Sequence, residues 1–599
     1  MKLSTEYLPN FALRIFLSFL MTSTYFFEEN SLLITCFYFA FFVIISVASY
    51  SKTTHTKSTL SQIAINIIIS ILAVLTFLPS SIINSGIYSK KDLLFSIIAF
   101  IYFFFLVKDI LNLSMSQSLS IRDYKEEKGT FRIYFLSFLM VSLIYLWAFY
   151  PGIFVPDSIN QWDQIHSSMP WNDWHPIAHT FLIKVTTLIG NKPVTFVLFQ
   201  IVCYSLVMAY AMDFIKDYIT KSINIFVLCF FLVFPLLPLS SIQIIKDSSF
   251  TIALVLLTIC LLKIVGSQGE WLSSLSHRCT LSLSFLGVIF FRHNGWPVFI
   301  VFLLICLLFL RKGYFRLYST AFICALFYLV ITGPIYNHYE VIRTDSTESL
   351  GMLIQISGEI ISSDGDINEK EATYYYSLMS KENWKALYKP RDVDNIKFKS
   401  RFQKKIIQDD PQTFILTTLS IAKKNPGLAV KAYIQQTEVL WHTNMPSENL
   451  RPMFRTQLKG KAGPYYFLSQ DQMEKYKPDY RGLFLTDSRF KSKTLENFFV
   501  SLFDRIFNSS IRYLFMPAVF LIIFLLSSGI LWLKGYGLYT LAFLPYFLTL
   551  GTMFVAIPAP DIRYALPNYF ISIIALCIAL GIKNKNTKVN HKKYRTARK

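Results

Sequence analysis

The sequence predicts an all-α polytopic membrane protein. Hydrophobic residues make up 53% of the 599-residue chain, charged residues make up only 16%, and the mean hydropathy is +0.43. A soluble protein usually carries about 25% charged residues, so this chain has too few to cover a soluble surface. The apolar residues also form blocks of about 20, for example near 32–49 and 515–533. A helix of about that length crosses a ~30 Å hydrocarbon core.

About fourteen apolar segments bounded by charged residues, Pro or Gly are predicted to span the membrane. An even number places both termini on one side. The first segment is followed by no small-residue cleavage site, so it is interpreted as a retained helix rather than a signal peptide. The predicted spans lie near 9–27, 31–49, 61–79, 91–110, 132–150, 193–212, 222–238, 248–264, 279–291, 296–310, 316–336, 512–533, 537–557 and 567–582.

The net charge of +21 is distributed as an orientation signal. Lys and Arg are enriched in cytoplasmic loops, and they cluster here in the 108–132 loop and in the tail 583–599. Both termini are therefore predicted to be cytoplasmic. The predicted inner loops and tails then carry a net +17, the short outer loops none and the outer segment 337–511 a net +4. Nucleic acid is therefore not predicted as a partner. The predicted partner of the basic residues is the anionic lipid of a bacterial plasma membrane.

Five regions are predicted along the chain. The long polar segment 337–511 is predicted to be a mostly helical extracytoplasmic domain, with helical stretches over Glu369–Tyr388 and Asp410–Gln436. No CxxC and no Cys/His cluster occurs, so neither a disulfide framework nor a zinc site is implied. The regions are four N-terminal helices (1–131), seven helices with a long outer loop at 151–192 (132–336), the outer domain (337–511), three C-terminal helices (512–582) and the basic tail (583–599).

The outer loop after the fifth span contains the main candidate for catalysis, Asp157. Pro156 breaks the helix as it leaves the membrane, and a carboxylate beside Trp rings in a partly dry site can act as a general base or bind a divalent cation such as Mg²⁺ or Mn²⁺. The alternative is that Asp157 caps a short interfacial helix. Asp163 and Asp173 are secondary candidates, and both are interpreted first as solvated loop residues.

His175 begins an apolar stretch, 177–189, that is too short to span and is predicted to lie along the membrane surface. His175 either hydrogen-bonds a substrate or lies at the level of the lipid headgroups, and the second interpretation is favoured for His179. The Trp residues of the loop either stack on a ligand or form an aromatic belt.

Three further outer turns place charges against apolar helix ends. They are Lys246-Asp247, Arg292-His293-Asn294 and Asp561-Ile562-Arg563-Tyr564. Such charges usually have a partner or a ligand, although local pairs such as Lys246 with Asp247 or Asp561 with Arg563, and snorkelling, also account for them. In the predicted topology all three cations emerge on the same face as Asp157. One acid facing several cations fits a site that binds a phosphate while deprotonating a hydroxyl.

These features resemble the GT-C superfamily of integral-membrane glycosyltransferases. The resemblance rests on an Asp delivered into the first long outer loop, an interfacial helix after it, Arg in later outer turns and a large outer domain, and it covers about 132–582. The strings around Asp157, Asp173-Trp174-His175-Pro176, Arg292–Gly295 and Asp561–Pro567 are also similar to a bacterial group of GT-C-like membrane proteins. The superfamily's shared seven-helix module would correspond to spans five to eleven. Asp157 lacks the adjacent second acid of the family's pattern, which leaves metal dependence open.

The resemblance implies inverting transfer of a sugar from a polyprenyl-phosphate carrier to a cell-wall or surface glycan, with Asp157 as base. His175 is the second catalytic candidate and would hydrogen-bond the substrate, while Arg292, Arg563 and Lys246 would bind the phosphate. The other implied binding residues and secondary acids are Gln161, Trp162, Trp171, Trp174, His293, Asn294, Tyr564, Asp247 and Asp561. The alternatives are a lipid-linked glycan transporter or flippase, an envelope glycan polymerase or ligase, and a scaffold without catalysis.

Overall fold

The computed structural model describes residues 8–26, 32–50, 58–85, 89–116, 129–310, 313–445, 474–475 and 490–585. Within these ranges all regular elements are helices, and two isolated β-bridges join segments that connect the helices. The predicted all-α class is therefore confirmed. Most of the basic tail and part of the predicted outer domain lie outside the described residues.

The N-terminal part of the chain forms five helices. Helix α3 begins with a capping box, in which Thr59 and Gln62 exchange side-chain to backbone hydrogen bonds, so its first turn is satisfied before the apolar run starts. The five helices are α1 (Leu8–Phe26), α2 (Leu32–Tyr50), α3 (Leu60–Thr76), α4 (Ser80–Ser85) and α5 (Lys90–Ser116).

In the region of the seven predicted helices, short helices lie between the long ones. Helix α15 continues through a π-helical turn at Ile331–Ile335 into α16. The elements are α6 (Thr130–Ala148), α7 (Pro156–Ile165), α8 (Ile177–Thr187), α9 (Pro193–Ile215), α10 (Lys221–Val233), α11 (Leu236–Ile242), α12 (Lys246–Gly266), α13 (Leu275–Phe291), α14 (Gly295–Phe309), α15 (Phe315–Val330) and α16 (Tyr336–His338).

Seven shorter helices follow, and they correct two predicted stretches. The stretch at 369–388 is two helices, because Met379 is extended and Ser380 caps a new helix. The stretch at 410–436 is also interrupted, since Pro426 disfavours helical geometry at Asn425. The helices are α17 (Gly351–Ser362), α18 (Glu369–Leu378), α19 (Lys381–Leu387), α20 (Asp394–Lys397), α21 (Lys404–Asp409), α22 (Pro411–Lys424) and α23 (Pro426–Trp441).

The C-terminal part contains one amphipathic helix and three apolar ones. They are α24 (Lys493–Phe507), α25 (Pro517–Leu533), α26 (Leu544–Ala556) and α27 (Pro567–Gly581). Helix α25 packs against both α27 and α3, so the C-terminal helices lie between the N-terminal helices and the centre of the protein.

Seven described spans are long and apolar enough to cross a membrane, and three of them are α-helices extended by an adjoining 3-10 or π-helical turn. An eighth span would be the pair α10 and α11, which is bent by 55° where Pro235 starts the second helix. The predicted spans near 61–79, 279–291, 296–310 and 512–533 are helices of only 15 to 17 residues. The protein therefore has the helices of a membrane protein, and the number fourteen remains a prediction.

Three hydrophobic cores hold the described residues together. The largest joins α6, α9, α12, α13 and the C-terminal helices, and a smaller one lies among α1, α2, α3 and α5. A third is formed within 351–429 around Trp384 and Tyr375. The polar segment thus has a core of its own, while α23 at its end packs against α25.

Candidate functional site

Asp157 and Lys246 meet because the short segments that precede them pair side by side. Ile153 and Gln243 form a parallel β-bridge, with Ile153 N donating to Ile242 O at 3.0 Å and Ile244 N donating to Ile153 O at 3.0 Å. Helix α7 begins three residues after this bridge, and α12 begins equally soon after Gln243. The first turns of the two helices therefore lie together, although they are about ninety residues apart in sequence.

Glycine is required where this pairing begins. Gly152 has φ of +128°, and an added Cβ would lie 2.6 Å from a Val197 side-chain carbon. A side chain there would be strained in conformation and would also clash with α9. The Pro-Gly pair before the loop thus allows the chain to approach α9 closely and turn into α7.

Three side chains converge on one oxygen of Asp157. Lys246 Nζ lies 2.6 Å and Arg563 Nη1 lies 3.0 Å from Asp157 Oδ2. His175 Nδ1 is 3.7 Å from the same atom and 3.2 Å from Lys246 Nζ. The side chains of Asp157, Lys246 and Arg563 retain 15–17% exposure, so a ligand can reach them.

A second carboxylate, Asp247, lies behind the first. Its side chain is 1% exposed, with Oδ1 3.3 Å from Arg292 Nε and Oδ2 3.8 Å from Arg563 Nη1. Arg292 is itself buried, and its guanidinium lies over the rings of Phe250 and Tyr564. Asp247 thus holds two guanidinium groups from a position that a ligand does not reach.

The turn before α27 presents Arg563. Asp561 Oδ1 accepts from the backbone N–H of Arg563, and Asp561 Oδ2 lies 3.1 Å from Arg563 Nε. Arg563 Nη2 donates to the hydroxyl of Tyr564 at 3.2 Å. The predicted local pair of Asp561 with Arg563 is therefore present, whereas Lys246 pairs with Asp157 rather than with Asp247.

The six charged side chains form three acids against three cations. We call Asp157, Asp247, Asp561, Lys246, Arg292 and Arg563, together with His175, the polar cluster. All seven were candidates from the sequence, and the structure brings them together from four separate parts of the chain. The charges of the six ionised groups sum to zero.

The cluster sets the protonation of its two titratable loop residues. Burial alone would raise the pKa of Asp157, but the charges of Arg563 and Lys246 outweigh it and hold that pKa well below its ordinary value. Burial lowers the pKa of His175 to about 3, and Lys246 contributes to the same shift. At neutral pH Asp157 is a carboxylate and His175 is neutral, so His175 Nδ1 accepts a hydrogen bond from the Lys246 ammonium.

An open cavity of about 660 Å³ is lined by residues that neighbour two members of the cluster in sequence. Asn160, one helical turn after Asp157, and Trp174, next to His175, both line it. The other lining residues are Asn172, Ile342, Arg343, Thr344, Asp345 and Gln408. Sequence reasoning missed most of these, and only the spacing of Asn160 from Asp157 could have indicated its place.

Several predicted binding residues lie elsewhere. Trp162 is 1% exposed and stacks on His166 with ring centroids 4.2 Å apart, so it has no free face for a sugar. Gln161 is buried and bonds Thr180 and His179. His179 is therefore buried in this network, and the prediction that it lies at headgroup level is wrong.

The remaining predicted residues of the turns and the loop have local partners. Asn294 donates to Thr552, and His293 lies 3.9 Å from Asp173. Trp174 lies beside Phe398, with Lys404 over its ring at 5.7 Å. Lys184 lies over Trp171 at 4.9 Å.

Of the two secondary acids, Asp163 is buried and Asp173 is half-buried and hydrogen-bonded, which corrects the interpretation of both as solvated loop residues. Asp163 is fully buried within α7. Asp173 accepts from the backbone N–H of Ile177 at the start of α8 and from the hydroxyl of Tyr336. Burial raises the pKa of Asp173 despite the nearby His293.

The cluster does not fit a divalent cation. Each of its carboxylates is already paired with Lys246, Arg292 or Arg563. Across the described ranges, no group of three or more His, Cys, Asp or Glu side chains has the arrangement of a metal site.

The chain matches one known protein family. The model of DUF6020, described as a family of unknown function, matches residues 171–595. That match includes His175, Lys246, Arg292 and Arg563 and begins after Asp157. No curated protein and no solved structure has detectable similarity to the chain.

Proposed function

The chain belongs to the DUF6020 family, and from its polar cluster we propose that it is an inverting membrane glycosyltransferase of the GT-C type. It would move a sugar from a polyprenyl-phosphate carrier to a glycan acceptor. The convergence of an accessible carboxylate and two accessible cations, Asp157 with Lys246 and Arg563, carries the proposal. A base for the acceptor and positive charge for the leaving phosphate are the two groups that this reaction needs.

Asp157 would act as the base. Lys246 and Arg563 both contact Oδ2, so Oδ1 would receive the proton of the acceptor hydroxyl. The hydroxyl oxygen forms a bond to the anomeric carbon from the face opposite the phosphate. The bond between that carbon and the phosphate oxygen breaks, and its electron pair leaves with the lipid phosphate.

The cations would change partner during the reaction. Because the charges of the cluster sum to zero, a phosphate must compete with the carboxylates for Lys246 and Arg563. Once these cations turn to the phosphate, they no longer depress the pKa of Asp157, and its carboxylate becomes a stronger base. Donor binding would thus activate the base, while Asp247 keeps Arg292 and the far side of Arg563 in place.

The open cavity would hold the acceptor. Asn160 lines it, together with the side-chain amides of Asn172 and Gln408 and the ring of Trp174. Amides bond sugar hydroxyls in both directions, and an indole ring covers the apolar face of a sugar. The finer architecture, fourteen spans with a seven-helix module over 132–336 and an outer domain at 337–511, belongs to the same proposal.

The test is sugar transfer by the purified protein. A panel of polyprenyl-phosphate sugars is offered with cell-wall glycan as acceptor, and wild type, Asp157→Asn and Asp366→Asn are compared. Asp366 is an exposed acid of the outer segment, so its variant should transfer at the wild-type rate. Asp157→Asn should lose transfer by at least a hundredfold, since general-base catalysis contributes about 10²–10⁴.

The alternatives give other results. A lipid-linked glycan transporter would move its substrate across vesicles without changing it, and would tolerate Asp157→Asn. A polymerase or ligase would need the same base but would transfer whole glycans rather than single sugars. Undiminished transfer by Asp157→Asn would remove Asp157 from the role of base.

A further inference from the structure

A second cavity lies between α3 and α5, in the N-terminal part of the chain that the DUF6020 match does not include. Its volume is about 450 Å³. Ile63, which lines it, is 41% exposed, so the cavity opens on the outer surface of the helix pair. In a membrane protein that surface faces lipid.

The uncharged polar lining of this cavity consists of Ser58 and three side-chain amides. Gln62, Asn66 and Asn112 line it and are each less than 9% exposed. The side-chain oxygen of Gln62 accepts from Thr59 N at 2.7 Å, and that of Asn66 lies 3.3 Å from the Ser70 hydroxyl, which donates to the backbone oxygen of Asn66 at 2.7 Å. Their amide NH₂ groups remain available to donate, so the cavity suits a ligand rich in acceptor oxygens.

One cation lies among these donors. Lys108 lines the cavity and is exposed. The neighbouring acid Asp109 is paired with Arg14, with Nη2 and Oδ2 2.7 Å apart. Asp109 is thus engaged elsewhere, and Lys108 gives the cavity positive charge.

The remaining walls are apolar. Phe104 and Leu111 on α5 face Ile63 on α3. A ligand that uses the whole cavity therefore has a negatively charged, oxygen-rich head and a hydrocarbon part. We propose that this cavity is a binding site for the phosphate headgroup of an anionic membrane lipid, separate from the polar cluster.

Lipid binding to the purified full-length protein tests the site. Phosphatidylglycerol and phosphatidylcholine are titrated in detergent, and bound lipid is counted by native mass spectrometry. Wild type should prefer phosphatidylglycerol. Lys108→Gln should weaken its binding about tenfold, which corresponds to ~1.4 kcal/mol, and leave phosphatidylcholine unchanged.

Two more variants separate this site from general charge effects. Lys90→Gln removes an exposed lysine at the other end of α5 and should bind phosphatidylglycerol like wild type. Asn112→Leu removes a buried donor without changing charge and should also weaken binding. Equal losses in Lys90→Gln and Lys108→Gln would overturn the proposal, as would wild-type binding by both Lys108→Gln and Asn112→Leu.

The probe also distinguishes a lipid from a soluble ligand. Inorganic phosphate carries the same acceptor oxygens without the hydrocarbon part. It should displace phosphatidylglycerol only at much higher concentration, because it leaves Ile63 and Phe104 without a partner. Displacement at equal concentration would show that the apolar walls do not contribute and that a lipid is the wrong ligand.

Discussion

At Asp157 and His175, two neighbouring groups are held in protonation states that differ in origin. Asp157 stays charged because Arg563 and Lys246 outweigh its burial. His175 stays neutral because its burial outweighs the attraction of Asp157, and Lys246 adds to the effect. The ion pairs of Asp157 therefore stabilise the fold at neutral pH and are lost when the carboxylate is protonated in strong acid.

His175 is expected to make the fold less stable as the pH falls from 6.5. Its pKa is about 3 in the folded protein, against about 6.5 in an unfolded chain, so between these values only the unfolded chain binds the proton. Each pH unit in this window then costs about 1.4 kcal/mol of unfolding free energy. His175→Gln should show a smaller fall of the thermal midpoint in detergent from pH 7 to pH 5 than wild type.

The exposed His338 provides the matched control, since His338→Gln should keep the wild-type pH dependence. His179, whose pKa burial also lowers to about 3, should leave part of the dependence in His175→Gln. If the thermal midpoint of His175→Gln falls as steeply between pH 7 and pH 5 as that of wild type, His175 is not a neutral, buried group.

The sequence indicated the polar cluster because its members share a rare property. Each is a charge or a His beside an apolar segment, where a partner or ligand is needed. It could not indicate which acid pairs with which cation, since that depends on the bridge of Ile153 with Gln243. It also misplaced Gln161 and Trp162, because helix α7 turns them inward and one loop sequence does not reveal which side is buried.

At the scale of elements, the helix ends determine where the cluster forms. Helix α23 helps to hold the turn that carries Arg563, since Gln436 Nε2 donates to the carbonyl oxygens of Ile557 and Pro558 at 2.8 and 3.0 Å. Prolines at 558 and 560 remove backbone donors from this turn, so it has few other ways to be fixed. The segment 351–441 therefore supports the site as well as bordering it.

The turn between α13 and α14 requires glycine at 295. An added Cβ would lie 1.8 Å from the backbone oxygen of Val288, which no side-chain movement relieves. Gly295→Ala should lower the unfolding free energy by about 1–3 kcal/mol, as overpacking does, and displace Arg292 from Asp247. The measurement is thermal unfolding in detergent.

Gly551→Ala is the control for this prediction. Gly551 lies within α26, and nothing lies within 4 Å of its added Cβ. Alanine is the better helix former, so this variant should be as stable as wild type or slightly more stable. Equal unfolding midpoints for the two variants would mean that the α13–α14 turn is looser than the contact with Val288 implies.

Helix existence was largely predictable, and helix continuity was not. The apolar runs located the helices because burial in lipid needs about twenty consecutive apolar residues. Helix breaks depend on capping residues and on the restricted backbone of the residue before a proline, and the apolar composition of a segment does not reveal either. This applies to the breaks at Pro235, Ser380 and Asn425.

At the scale of the whole molecule, buried polar contacts join the segment 391–442 to the N-terminal helices. Glu438 accepts from Arg391 Nε at 2.5 Å and lies 2.7 Å from His442 Nδ1. Arg391 also donates to Asn84, and His442 Nε2 lies 2.7 Å from the backbone oxygen of Leu78. The segment between α3 and α5 is thus fixed to α23 by charged and polar groups rather than by apolar packing alone.

Removing one partner of this buried pair should destabilise the protein more than removing both charges. Arg391→Met leaves the buried carboxylate of Glu438 with His442 only, and breaking such pairs costs about 3–5 kcal/mol. The double variant Arg391→Met with Glu438→Gln should recover part of that loss. Thermal unfolding of the single and double variants measures the difference, and a double variant less stable than Arg391→Met would contradict it.

One labelling experiment decides which side of the membrane holds the cluster, because the loop that follows Asp157 is bonded to the segment that begins near 337. Asp173 N donates to Ile342 O at 2.8 Å, and Ile342 N donates to Trp171 O at 2.9 Å, so the loop and the segment lie on the same side of the membrane.

A cysteine at the exposed Asp366 should react with a membrane-impermeant maleimide in intact cells. One at the exposed Arg316, in the first turn of α15 and at the predicted cytoplasmic end of that span, should react only after permeabilisation. The unsubstituted protein gives the background of its eight native cysteines. The reverse pattern would place the cluster in the cytoplasm, where a donor displayed on the outer face could not reach Asp157.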